Sequence, residues 1–400
     1  MSWIPVPTIA LVRLSVTRWT TKKNTNGESS VSTNALRRRR RSVSSLLVEV
    51  VKVGSVVSHP NADRLELAKV KGWQCIIQKG QFQEGDLALF IPPDAILPDS
   101  FIEQHKLEYL RKGGRTRTLK LRGELSEGIL VSAPPDSCEG QNLAETLGII
   151  KWEPPEPEYQ RLRDAKAKPV RNRPNPNFTK YCDPENFKHY PNLFEIGEQV
   201  VVTEKIHGTN ARFGWVPRHY DGFWGRVKRS LFGWFLDEWE WCVGSRNVHL
   251  LPGRPRFYKD DPYHKIAKRL GLKNRIPKGY TVYGEIFGPK IQDLTYGRTE
   301  IDIRFFDAKK GNEYLSYPDF VTFCRACFLQ TVPLLYSGPY KPGLVETHTC
   351  GQSLLDASTL REGCVIKAAF EDRPHPRLGR KILKTINTDY LLRKSGTEFH

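Results

Sequence analysis

Lys205 lies in the stretch Val202-Thr-Glu-Lys-Ile-His-Gly-Thr-Asn210, where a run from Glu195 to Thr203 reads as a strand and then turns. A long cation shown at the mouth of a strand pair, followed by His207 and Gly208, is placed as a nucleophilic lysine would be. Five more charged residues stand in strand-like runs where apolar side chains are expected. They are Arg246, Glu285, Glu362, Lys381 and Lys384. Cations of this kind take phosphates, and carboxylates take a divalent metal and a ribose hydroxyl. The set therefore suits a nucleoside triphosphate with a metal ion. No Gly-x-x-x-x-Gly-Lys-Ser/Thr loop, Rossmann glycine fingerprint or Ser-His-Asp signature is present.

The elements that must position these residues alternate between strands and helices from 181 to 400. Asn210–Val216 reads as a return strand, followed by strands at Trp241–Asn247, Tyr280–Gly288 and Ile301–Asp307. Helices are expected at Tyr263–Leu270 and from Tyr317 onward, and the last strands at Arg361–Lys367 and Arg380–Ile386. An insert at 218–239 interleaves Arg218, Arg226, Lys228 and Arg229 with Phe223, Trp224, Phe232, Trp234 and Trp239. Either it grips nucleic acid by stacking and phosphate pairing, or it is a hairpin that packs its tryptophans on the domain. Cys324-Arg-Ala-Cys327 is a lone CxxC among Phe320, Phe323, Phe328 and Leu329, which reads as a core element.

Upstream, residues 46–150 read as short strands separated by His59-Pro-Asn-Ala-Asp63, Lys79-Gly80 and Glu84-Gly-Asp86, with a helix at Phe101–Lys112. Close-spaced short strands with glycine turns mean a small barrel or sandwich, and this stretch resembles an OB-fold. His59-Pro-Asn-Ala-Asp-Arg-Leu65 is similar to the opening of tRNA-binding OB modules. The basic residues from 111 to 122 either line a groove for single strands or solvate a strand edge. Residues 151–180 form a basic, proline-rich linker.

Residues 1–45 carry Arg13, Arg18, Lys22, Lys23 and Arg37 to Arg41 against Glu28 alone, and are expected to be disordered. Three readings stand: a mitochondrial transit segment, a nuclear-import or RNA-contacting patch, and a solvated tail. The whole chain has 400 residues and a net charge of +18, which favours polyanions as partners. Its eight scattered cysteines suit reduced thiols in an intracellular protein, and no apolar run of spanning length occurs. The fold class expected is α+β, an N-terminal OB-type β-barrel followed by antiparallel sheets flanked by helices.

The ordered set KxHG, SR, GE, FFD, REG and LK resembles the covalent nucleotidyltransferases, and its variants resemble the ATP-dependent RNA ligases with an N-terminal OB domain. Glu204-Lys-Ile-His-Gly-Thr-Asn210 is similar to RNA ligase motif I, where DNA ligases and capping enzymes usually have Asp-Gly for His207-Gly208. The resemblance covers residues 46 to 393. It implies that Lys205 attacks the α-phosphate of ATP and becomes lysyl-AMP. It also implies a nucleotide pocket drawn from Glu204, Ile206, Asn210, Arg246, Glu285, Phe306, Lys381 and Lys384, with Phe306 stacked on adenine. Glu362 and Glu285 would hold Mg²⁺ or Mn²⁺. Motif V often has two lysines one residue apart, and here the second is either missing or supplied by Lys381. His207 either contacts RNA or orients the turn. The activity implied is joining of RNA 5′-phosphate and 3′-hydroxyl ends through AppRNA, in RNA repair, by a monomer. A DNA ligase, a GTP-using capping-type enzyme and a catalytically dead RNA-binding OB protein are the alternatives. Mitochondrial or nuclear location follows from the basic N-terminus, and cytoplasm otherwise.

Overall fold

The computed structural model describes residues 46–110, 113–152, 175–220, 237–250, 261–370 and 374–393. The basic segment 1–45, most of the linker and residues 221–236 of the 218–239 insert lie outside these residues. The first unit contains β1 (Glu49–Lys52), β2 (Ser55–Ser58), β3 (Leu65–Val70), β4 (Trp73–Gln78), β5 (Leu87–Ile91) and β6 (Ala95–Ile96). It continues through α1 (Asp99–Gln104), β7 (Thr118–Leu121), β8 (Glu124–Glu127), β9 (Ile129–Ser132) and β10 (Ile150–Lys151). Antiparallel sheets β1-β5-β9 and β2-β3-β4 share its interior. Successive strand residues point to opposite faces. Hence Leu89 and Ile91 of β5 pack with Phe101, Ile102 and Val131, while Ala88 and Phe90 pack with Trp73, Ile77 and Leu130.

The helix expected at 101–112 is shorter, because Lys106 adopts a left-handed conformation with φ of 56° and ends the helical path. A 3-10 turn at Glu108–Leu110 follows. Two cations of the basic run at 111–122 are engaged within the molecule. Arg115 bonds Asp94 and stacks 3.2 Å from the Trp152 ring centroid, and Lys120 donates to the carbonyl of Leu392 at 3.1 Å. Lys188 bonds both Glu127 oxygens at 2.9 and 2.8 Å while lying over Trp73, and Lys151 contacts Glu185. These contacts seat the first unit on the second.

The second unit runs β11 (Glu185–Asn186), β12 (Gln199–Lys205), β13 (Thr209–Pro217), β14 (Trp239–Ser245), β15 (His249–Leu250), α2 (Pro262–Arg269) and α3 (Leu272–Arg275). Then come β16 (Tyr280–Phe287), β17 (Asp302–Lys310), β18 (Glu313–Tyr314), α4 (Tyr317–Ala326) and β19 (Leu334–Pro339). Last are α5 (Leu344–Thr349), β20 (Gly363–Ala368), β21 (Ile382–Ile386) and α6 (Thr388–Leu392). One sheet has the order β11-β21-β20-β12-β19, and the other β15-β14-β13-β16-β17-β18. Both are antiparallel except for the two-residue parallel pair of β11 with β21.

Strand alternation decides what each sheet offers. In the first sheet Val200, Val202, Cys364, Ile366 and Leu383 face a core with Phe194 and Val345. The register sets Lys205 opposite Gly363 and Val365 opposite Lys384, so Lys205, Lys367 and Lys384 stand on the other face. In the second sheet Ala211, Phe213, Val282, Ile286, Ile303 and Phe305 pack with Tyr263 and Ile266 of α2 and Phe320 of α4. Asn210 and Glu285, paired across β13 and β16, take the opposite face.

Candidate nucleotidyl-transfer site

Lys205 is the last residue of β12 rather than part of the turn that follows. Its amine contacts the Glu362 carboxylate, which is fully buried at the start of β20. The turn beyond it needs glycine. A β-carbon on Gly208 would stand 2.2 Å from the carbonyl oxygen of Ile286, so any side chain there would push the Lys205 turn off β16. The Gly208 carbonyl accepts from Gln292 at 2.5 Å, and the His207 amide donates to the Tyr296 hydroxyl at 2.7 Å. Burial first, then the Glu362 carboxylate, push the Tyr296 hydroxyl up, with Glu204 and Glu285 adding to it.

Asn210 and Glu285 face each other across β13 and β16. The Oδ1 of Asn210 is buried and has no hydrogen bond among the described residues, an acceptor left for a ligand hydroxyl. Phe306 sits at a β-bulge: Tyr283 pairs with Asp307 and Gly284 with Phe305, leaving Phe306 as the extra residue. It packs with Ile206, Phe287 and Tyr296 and meets Tyr181 edge-on at 4.9 Å. Beside it, the fully buried Asp307 takes Tyr181 and Arg380 at 2.9 Å each and Lys367 at 3.4 Å. Burial opposes its ionisation, but Lys367 and Arg380 hold its carboxyl below the usual range. Lys367 also donates to the Phe306 carbonyl, which ties the bulge to the first sheet.

Arg246 and Lys384 converge on one carboxylate, Asp183, at 2.5 and 3.7 Å. The surrounding protein works against its ionisation, yet Lys384, Arg246 and Lys151 together hold its pKa at about 2. Asp183 thus acts as a resident anion between two cations that suit a phosphate. Asp183→Asn is expected to lower the KM for ATP in enzyme adenylylation by about two- to fivefold, the range open to a half-exposed ion pair, with kcat little changed. A raised KM would mean instead that Asp183 positions the cations.

Two residues expected in the nucleotide pocket have their side chains elsewhere, and alternation explains both. Glu204 is one residue from Lys205 and therefore faces away from it. Its buried carboxylate accepts from the Ser353 hydroxyl at 2.5 Å and the Leu354 amide at 2.8 Å. Lys381 is three residues from Lys384, an odd separation, and pairs with Glu198 at 2.7 and 2.6 Å at the far end of β12. Lys381 is thus not the second motif V cation. Lys205, Ile206, Asn210, Arg246, Glu285, Phe306, Glu362 and Lys384 gather where the two sheets meet. Asp183, Asp307 and Lys367 were missed from sequence. Lys367 is an even step of four residues from Gly363 along one face of β20, and Asp307 stood in the FFD motif without a role assigned to it. The thiols of Cys324 and Cys327 are buried in the main core, where burial pushes that of Cys324 up to about 12.

Residues 198–386 match the model of the RNA ligase family, and residues 47–133 match that of an OB-fold domain. No curated protein matches the chain by sequence. Among solved structures, a lysine-to-alanine variant of the Naegleria gruberi RNA ligase with ATP and Mn is similar with a TM-score of 0.60 at 22% identity, covering 86% of this chain and 98% of its own. A lysine-to-methionine variant with AMP and Mn gives 0.61 at 22% identity over the same shares. The same ligase with PPi gives 0.59 at 23%, covering 86% and 97%. The fold is the one these ligase structures share. A domain matching the RNA ligase family at 198–386 thus follows an OB-fold domain at 47–133.

Proposed function

We propose that this chain is an ATP-dependent ligase that joins RNA 5′-phosphate to 3′-hydroxyl ends, acting in RNA repair. The observation that carries the reading is that Lys205, in contact with the buried Glu362, stands on the face shared with Lys384, whose neighbour Arg246 helps it seat an anion. The neutral Lys205 Nζ attacks the α-phosphorus of ATP, a P–N bond forms, the nitrogen gives up a proton to solvent, and pyrophosphate leaves with the electrons of the broken P–O bond. An RNA 5′-phosphate oxygen then attacks the same phosphorus and releases the lysine, giving AppRNA. The RNA 3′-hydroxyl finally attacks the 5′-phosphate, loses its proton, and AMP leaves.

The side chains fit these tasks. Arg246 and Lys384 take phosphate oxygens in place of Asp183, Asn210 and Glu285 reach the ribose, and Ile206 and Phe306 line the base pocket. Pairing with Glu362 favours the charged form of Lys205, so the pair must loosen before attack. Mg²⁺ or Mn²⁺ held by Glu362 and Glu285 would compete with the ammonium for that carboxylate and neutralise phosphate charge. A non-catalytic reading depended on a missing second lysine. Arg246 beside Lys384 supports the catalytic one.

RNA is the expected partner and a monomer the expected state. No helix among the described residues is long and apolar enough to cross a membrane. Incubation with α-labelled ATP and either metal is expected to label the protein acid-stably, GTP is not, and the labelled protein is expected to seal RNA but not DNA 3′ ends. Absence of label with both metals would refute the reading.

A further inference from the structure

The helix α4 ends at Cys327, and the next residue, Phe328, has a left-handed backbone with φ of 54°. Glycine is usual at such a helix end because a β-carbon makes the conformation costly. The ring does not offset that cost by packing. Phe328 is 78% exposed, whereas its neighbours Cys327 and Leu329 are buried. The bend itself is firmly held. The amides of Phe328 and Leu329 donate to the carbonyls of Arg325 and Cys324 at 3.1 and 2.8 Å, and Arg275 donates to the Phe328 carbonyl at 3.2 Å. An exposed aromatic ring in a costly but rigid conformation points to a task outside folding.

Phe328 borders a groove of about 660 Å³, the size of a nucleotide site, at the edge of the second sheet where β17 meets α2 and α3. Arg269, Arg275, Arg298 and Arg304 line it against two carboxylates, Glu300 and Asp302, so the groove is positive. Arg269 bonds Glu300 and Arg304 bonds Asp302, each at 2.8 Å. Arg298 lies 3.7 Å from Asp302, and its Nε is buried with no hydrogen bond among the described residues. A flat exposed ring beside guanidinium groups is what a single strand requires. Bases stack on the ring and phosphates pair with the cations.

We propose that this groove is a second RNA site, which holds a single-stranded segment with one base on Phe328 and phosphates at Arg275 and Arg298. It rests on RNA being the substrate, and gives the ligase a hold on RNA beyond the reacting ends. The test measures three things on the full chain: affinity for a fluorescein-labelled single-stranded oligoribonucleotide, melting temperature, and lysyl-AMP formation. Phe328→Gly is expected to weaken RNA binding roughly tenfold while the melting temperature holds or rises and lysyl-AMP formation is unchanged. Phe328→Leu, which keeps apolar bulk but removes the ring, is expected to weaken binding similarly. Unchanged affinity in both variants overturns the proposal. So does a loss of affinity that appears only with a lower melting temperature and less lysyl-AMP. A wild-type chain that forms no lysyl-AMP overturns the ligase reading instead, and RNA binding by the groove is then still measured separately.

Discussion

Lys205→Ala is expected to abolish lysyl-AMP formation and the sealing of 5′-phosphate RNA, a loss of at least about 10⁴-fold, yet to seal pre-adenylylated RNA within about tenfold of wild type. The asymmetry follows from the chemistry. Lys205 makes one bond, to the α-phosphorus, and that bond is already broken when AppRNA forms. The last step needs only alignment of the 3′-hydroxyl with the 5′-phosphate and stabilisation of the leaving AMP. In the proposed mechanism those tasks fall to Arg246, Lys384, Asn210 and Glu285, which the substitution leaves in place. Truncation leaves the apolar face of β12 untouched, since Lys205 stands on the cleft face, but it removes an ammonium from the buried Glu362, so the melting temperature of the variant is measured alongside. Label assays with α-labelled ATP and gel assays with both RNAs check the prediction. Persistent label in the variant would sink the assignment of the nucleophile. Equal loss with both RNAs would give Lys205 a further part in the last step.

His207→Asp, which converts the turn to the form usual in DNA ligases, is expected to slow adenylylation about 10²-fold and to destabilise the protein by about 2–4 kcal/mol. His207 is buried within a closed ring of hydrogen bonds. Its Nε2 is 2.6 Å from Asp293, which can only accept, so this nitrogen carries the proton. The Tyr390 hydroxyl lies 2.7 Å from Nδ1, and Arg393 bonds both Tyr390, at 2.9 Å, and Asp293, at 3.0 Å. The ring therefore ties the Lys205 turn to α6, directly behind β21 and Lys384. Aspartate is too short to reach Asp293 and would bring a second carboxylate towards it. Its charge would go largely uncompensated, and the turn holding Lys205 would shift. Asp293→Asn in the same chain is expected to restore part of both losses, because it removes the like charge. Thermal melting and single-turnover adenylylation of the three proteins measure this. A His207→Asp chain as stable and as fast as wild type would show that the ring does not position the lysine.

The same ring separates what was legible in the sequence from what was not. The motif order was legible: Lys205, Arg246, Glu285, Phe306, Glu362 and Lys384 follow one another on or beside strands whose period of two is written in their apolar residues, and the proposed triphosphate site is built from them. Glu204 and Lys381 were expected in the pocket, yet odd separations along a strand reverse the side chain and turn Glu204 away from Lys205 and Lys381 away from Lys384.

By itself, then, the sequence determined the kind of reaction, the two-part architecture and the alternation that selects which side chains reach the cleft. Only the tertiary structure decided the company those side chains keep. Asp183 meets Arg246 and Lys384 because β11 lies parallel beside β21, a pairing between segments far apart in the chain. Phe306 faces the pocket because of a bulge that shows only in the register of β16 with β17. His207 is a ring-forming residue because α6 returns behind the turn. Local periodicity is fixed by the stereochemistry of neighbouring residues. Contacts between distant segments depend on register and packing across the whole domain, which no short stretch encodes.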